Sequence, residues 1–298
     1  MESHHELSGR TAVVTGGSSG IGLESARILA RDGAAVLLMG RRPDLLAKAR
    51  DSILETVPDA RIEVYAGDAS DEAAVKAALQ QAHAIAGRLD ILVPAVGGDD
   101  NYYPFLMETK AHFHYVLNRN LVSAFLIIRY GAPLMHPHGG AIVCISTTTV
   151  TQQATGLAAY VAAKAGLERL VKLVALELAG ARIRVNAVRP GLTRSAATQF
   201  MFAVPGTEER YASITPLGRV GEPVDIARAV RFFAGPESAW ITGQNIACDG
   251  GQELSGATPD FLDQAYGKEV MDQIRAGKIP VAELEPHGGI DEKAPAAD

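Results

Sequence analysis

The chain has 298 residues, with 28 Lys and Arg against 34 Asp and Glu and a formal net charge of −6. That length holds one large α/β domain or two small ones, and 47% apolar with 21% charged residues is globular composition that argues against wholesale disorder. An acidic chain whose closest basic grouping, Arg182, Arg184 and Arg189, is interrupted by strand spacing is a poor nucleic-acid binder. The two cysteines exclude a disulfide framework and a four-cysteine zinc site. Cys144 and Cys248 both lie in apolar strand-like runs, so buried, reduced thiols are expected. The polar start MESHHELSGR shows no secretory apolar segment, and no apolar run reaches the ~18 residues that span a bilayer. A cytoplasmic protein without membrane partners is the expectation.

β-branched apolar runs at 11–15, 35–39, 62–66, 89–93, 141–145, 183–188 and 245–248 alternate with helical patterns such as 22–31, 71–86, 113–131 and 158–178. Strand–helix alternation with nearly continuous apolar strands predicts a parallel sheet covered on both faces. Right-handed crossovers make it a doubly wound, Rossmann-type sheet of about seven strands in a single domain. Residues 1–251 form that domain, and 194–222, with Phe200, Met201 and Phe202 ahead of the turn-rich TPLGRVGEP, reads as a lid over the strand ends. Residues 252–298 form a C-terminal extension, with a helix over about 259–276 capped by Thr258, started by Pro259, carrying Phe261 and Leu262, and stopped by Gly277. A tail after Leu284 is expected to fray.

The first strand runs into Thr15-Gly16-Gly17-Ser18-Ser19-Gly20-Ile21-Gly22 and then a helix. Glycines there permit a tight turn and close backbone approach to a pyrophosphate, which the helix N-terminus attracts. Gly16, Ser18, Ser19, Gly20, Ile21 and Gly22 are therefore candidate dinucleotide contacts. The second strand ends in Gly40-Arg41-Arg42 with no carboxylate for a ribose 2′-hydroxyl. A guanidinium fork suits a 2′-phosphate, which predicts NADP(H) over NAD(H). Tyr160 and Lys164, at i and i+4 on a helical segment, share one face, and a cation beside a phenol stabilises the phenolate.

With these marks the chain resembles the short-chain dehydrogenase/reductase family. The TGGSSGIG turn, Asp68 after the third strand, Asn120, YVAAK, RVNAVRPG and the late ITGQ…DGG stand in family order over roughly residues 8–251, about four-fifths of the chain. The resemblance implies a nicotinamide cofactor, reversible hydride transfer between a carbonyl and an alcohol, and a homo-oligomer, usually a tetramer, assembled through the helices near 107–131 and 157–179 and the last strand. It makes Tyr160 the general acid/base, Lys164 the ribose ligand that lowers the tyrosine pKa, and Asn120 the holder of a helix distortion and a relay water. Asp68 and Ala69 would meet the adenine, and Thr193 and Ser195, after Pro190-Gly191, the carboxamide and diphosphate.

Two departures stand out. The fourth strand ends in Pro94-Ala95-Val96-Gly97 where the family has Asn-Asn-Ala-Gly, which leaves Val96 and Gly97 for the adenosine ribose. The family's serine, thirteen residues before the tyrosine, is replaced by Thr147, with Ser146 as neighbour. Thr147 is expected to supply the catalytic hydroxyl while Ser146 points the other way, because strand neighbours face opposite sides. Gly98-Asp99-Asp100 reads as a polar turn, His112, His114, His136 and His138 as solvated or capping, His4 and His5 as disordered, and Trp240 as packed at a helix–strand junction. No metal pattern is visible. The lid favours an apolar or aromatic ketone or secondary alcohol as substrate. Alternatives are an enoyl or imine reductase on the same scaffold, against which the Tyr–Lys spacing weighs, and a nucleotide-binding regulatory or structural protein with little turnover.

Overall fold

Nearly continuous runs of β-branched and apolar residues give seven strands: β1 (Thr11–Thr15), β2 (Ala35–Gly40), β3 (Ile62–Ala66), β4 (Ile91–Pro94), β5 (Gly140–Ile145), β6 (Ile183–Pro190) and β7 (Asn245–Cys248). A computed structural model describes them within residues 6–152, 154–255 and 262–278. All pair in parallel in the order β3-β2-β1-β4-β5-β6-β7, a doubly wound Rossmann-type sheet in one domain. Alternation along β1 sends Val13 to one core, with Leu79, Ile127 and Leu167, and Ala12 and Val14 to the other, with Leu29, Ile53 and Val230.

Between the strands run α1 (Gly20–Arg31), α2 (Pro43–Thr56), α3 (Glu72–Ala86), α4 (Lys110–Leu117), α5 (Ser123–Gly131) and α6 (Ala158–Leu178). The helix expected over 113–131 is not continuous: a π-helical turn over Asn118–Val122 separates α4 from α5. After β6 come two short helices, α7 (Gln199–Phe202) and α8 (Thr207–Ile214), and then α9 (Pro223–Ala234), packed on α1.

The C-terminal helix is broken. It forms α10 (Leu262–Ala265) and α11 (Lys268–Arg275), because Gly267 adopts φ +83°, outside the helical region. Thr258, Pro259, Phe261, His4, His5 and the tail after Leu284 lie outside the described residues. Trp240 does not pack at a junction. Its indole is fully exposed, while nearby Ser238 is buried and donates to the Phe233 and Gly235 carbonyls. Cys144 is buried, but Cys248, on an edge strand, is only half-buried.

Candidate active site

In a doubly wound sheet the crevice opens where strand order reverses, beyond the C-terminal ends of the strands. Here that point lies between β1 and β4. The Gly16–Gly22 turn leaves β1 on one side, and 95–99 leaves β4 on the other. Gly16 has φ +66°, and a Cβ on it would crowd the Ala95–Val96 peptide at 3.1 Å, while one on Gly22 would strike the Gly16 carbonyl oxygen. Pro94 does not interrupt the sheet: β4 pairs with β1 up to Thr15 and Pro94, and the Ala95 N–H donates to Thr15 Oγ1 at 3.2 Å.

One cavity is lined by Gly16, Ser19, Gly20, Ile21, Gly22, Val96 and Gly97, by Ser146, Thr147, Tyr160 and Lys164, and by Pro190, Gly191, Thr193 and Ser195. An adjoining cavity shares Gly16 and Val96 and adds Arg41, Asp68 and Ala69. Arg42 lines neither cavity and instead stands at the N-cap of α2.

Ser146 and Thr147 leave β5 in opposite directions. Ser146 Oγ donates to Glu168 Oε1 at 2.6 Å, into a network in which Arg189 also bonds both oxygens of Glu168. Thr147 instead lines the cavity with Tyr160, and its Oγ1 accepts the Thr149 N–H and caps the turn there. Burial pushes the Tyr160 hydroxyl up to about 12. The Thr147 hydroxyl and the Arg119 charge pull it down, and the Asp99 charge pushes it up. Lys164 is buried, donates to the Ile145 carbonyl at 2.8 Å, and is driven by burial down to about 8.

Asn120 sits inside the π-helical turn with no exposed surface. Its amide clamps Gly98 from both sides, accepting from the Gly98 N–H at 2.9 Å and donating to the Gly98 carbonyl at 2.8 Å. Gly97 lies so close to Asn120 Oδ1 and Lys164 Nζ that a Cβ there would approach them to 2.9 and 2.8 Å.

A family model described as Enoyl-(Acyl carrier protein) reductase matches residues 16–253. A 3alpha-hydroxysteroid dehydrogenase of Mediterraneibacter gnavus is 34% identical over 249 residues, covering 82% of this chain and 97% of its own. A short-chain type dehydrogenase/reductase from Mycobacterium ulcerans superposes with a TM-score of 0.85 at 30% identity, covering 90% of this chain and 98% of its own. The chain belongs to the short-chain dehydrogenase/reductase family. YwfH, an NADPH dependent reductase involved in bacilysin biosynthesis, superposes with a TM-score of 0.77 at 29% identity, over 82% of this chain and 98% of its own.

This family uses a nicotinamide dinucleotide, and the residues present fit one. Ser18 Oγ, in the glycine-rich turn, is buried with no hydrogen-bond partner among the described residues, and Gly16, Gly22 and Gly97 keep their backbone bare where side chains would block the crevice.

The rest of the cavity wall holds residues that sequence reasoning passed over, Tyr102, Leu157, Leu192, Tyr211 and Gln252, beside Met201 of the expected lid. Tyr102 meets Phe200 edge-to-face at 5.2 Å and reaches Met201 Sδ at 3.5 Å, so the 194–222 segment packs on the loop after β4. The turn expected at Gly98-Asp99-Asp100 does more than turn. Asp99 is 7% exposed and lines the cavity, and burial raises its carboxyl to about 6. His112 is not solvated: Nε2 lies 3.1 Å from Asp99 Oδ1, Nδ1 lies 2.8 Å from Glu108 Oε1, and the ring meets Tyr103 edge-on at 5.0 Å. A histidine four residues after Glu108 on a capped helix start was the one visible signal.

Proposed function

We propose that the chain is an NADP(H)-dependent oxidoreductase that interconverts a ketone and a secondary alcohol, with Tyr160 as general acid/base. The observation that carries this reading is the convergence of the Tyr160 and Thr147 hydroxyls in one cavity, with the Lys164 ammonium buried behind them. When bound, the nicotinamide supplies the hydride. Thr147 would hydrogen-bond the substrate oxygen and fix its direction. Tyr160 would pass its proton to that oxygen during reduction. A hydroxyl near pKa 12 stays protonated through the neutral range, so reduction is served there, whereas oxidation needs the ionised oxygen and quickens as pH rises. Asn120 would hold the 97–98 backbone and the π-helical turn. Gly16, Ser18, Ser19, Gly20, Ile21, Gly22, Val96, Gly97, Pro190, Gly191, Thr193 and Ser195 would hold the dinucleotide, with Asp68 and Ala69 at its adenine.

Arg41 supports the choice of NADP(H). It follows a strand end without a carboxylate and lines the cavity beyond Gly16. Reduction of an enoyl group is the second reading, favoured by the description of the matching family model; the i, i+4 spacing of Tyr160 and Lys164 favours carbonyl chemistry.

The test is a fluorescence titration with NADPH and NADH, followed by turnover on saturated ketones and conjugated enones. NADPH should bind at least tenfold tighter, and Arg41→Ala should erase most of that margin, since a charge-assisted phosphate contact contributes about 1.5–3 kcal/mol. Tyr160→Phe should lower kcat on ketones by about 10²–10⁴-fold. Undiminished turnover in that variant, or reduction of enones alone, overturns the reading.

A further inference from the structure

Asp99 is a buried carboxylate only half of which is satisfied. Oδ1 accepts the Asn101 N–H at 3.1 Å and faces His112 Nε2 at 3.1 Å. Oδ2 is buried with no hydrogen-bond partner among the described residues. A carboxylate oxygen removed from water without a donor is costly, and folds keep such a group where a ligand completes it.

The carboxylate is also held in place. The Asn120 clamp fixes the adjacent Gly98 peptide, and His112 is itself gripped by Glu108 and walled by Tyr103. Asp99 shares the cavity with Tyr160 and Thr147, and its charge acts on the Tyr160 hydroxyl. The remaining substrate wall is mostly apolar: Tyr102, Leu157, Leu192 and Met201.

We propose that Asp99 Oδ2 accepts a hydrogen bond from the substrate, so that the site selects ketones and alcohols that carry a second hydroxyl group on an otherwise apolar body. This rests on the reading of the cavity as a carbonyl-reducing site. A neutral hydroxyl supplies the missing donor at lower desolvation cost than an ammonium among these apolar walls. His112 and Glu108 are then positioning residues, which orient the carboxylate without touching the substrate.

The test compares cyclohexanone with its 2-, 3- and 4-hydroxy derivatives, binding each calorimetrically to the full chain saturated with 1,4,5,6-tetrahydro-NADP, a cofactor analogue that neither gives nor takes a hydride, so that neither the carbonyl nor the added hydroxyl is turned over. At least one hydroxylated isomer should bind about tenfold or more tighter than cyclohexanone, the usual strength of a hydrogen bond to a charged group. Asp99→Leu should bring that ratio to about one. Asp99→Asn, which keeps the side-chain shape and loses the charge, should reduce it about threefold; it stands in if the leucine variant fails to fold by circular dichroism. Three hydroxylated isomers no tighter than cyclohexanone, or a ratio unchanged in both variants, overturns the proposal. Replacing the analogue with NADPH then separates the two readings. An isomer that binds through Asp99 but is not reduced upholds the Asp99 contact and overturns carbonyl reduction.

Discussion

Adjacent hydroxyls on one strand end illustrate how little separates a structural from a chemical position. Ser146 and Thr147 carry the same functional group, yet the pleat sends Ser146 to Glu168 and leaves Thr147 in the cavity with Tyr160. The Ser146 bond joins a buried ion pair with Arg189, where Asn245 also donates to Glu168. Thr147→Ala should therefore cut kcat by about 10²-fold or more, the scale of losing one donor at a reacting oxygen, with little change in Tm. Ser146→Ala should do the reverse, leaving Glu168 one donor short at a stability cost of about 1–3 kcal/mol. Turnover and thermal melts of the two variants check this, and a larger kcat loss from Ser146→Ala would reverse the assignment. Asp99 and His112 carried no comparable signal. Their spacing is that of an ordinary loop and helix start, and only the packing of Tyr103 and Glu108 around the imidazole removes the pair from water.

Among the elements, the C-terminal extension has the clearest bearing on the site. Leu262, Tyr266 and Met271 form a small apolar cluster with Met107, against Tyr102 and Tyr103, and the Tyr266 hydroxyl donates to the Tyr102 carbonyl at 2.9 Å. Leu262 also lies over Gly156, whose φ of +78° and missing Cβ leave room for it. The extension thus braces, within one chain, both the substrate loop after β4 and the approach to α6, which bears Tyr160. Leu262→Ala removes about 2–5 kcal/mol of packing from a cluster outside the main cores. We expect α10 and α11 to detach locally, with faster proteolysis within those two helices and a KM raised several-fold, while Tm changes little. A large fall in Tm with unchanged KM would instead make the extension part of the main core. The π-helical turn is a second device at this scale: one extra residue in the turn brings Asn120 to Gly98.

For the whole molecule, the surface carries its own signal. Phe125 on α5 and Leu173 and Leu176 on α6 stand exposed on helices that cover the sheet, with Leu176 at 78%. Large apolar side chains exposed on such helices suit an interface between subunits, and we propose a homo-oligomer built through these helices. The double variant Leu173→Glu, Leu176→Glu should at least halve the mass read by light scattering; an unchanged mass places the interface elsewhere.

Much of the architecture was determined by the sequence itself. Strand period, apolar continuity and the glycine-rich turn are local properties, so seven parallel strands, the crevice at the end of β1 and the Tyr160–Lys164 face were legible from spacing. The family resemblance located Thr147 and Asn120. What tertiary structure decided depends on contacts between residues far apart in the chain. Asp99 was buried against His112 of α4, the helix expected over 113–131 gave way to a π-helical turn, the C-terminal helix broke at Gly267, and Trp240 was left in solvent. Burial and orientation are fixed by what packs across from a residue, and sequence spacing carries no record of that partner.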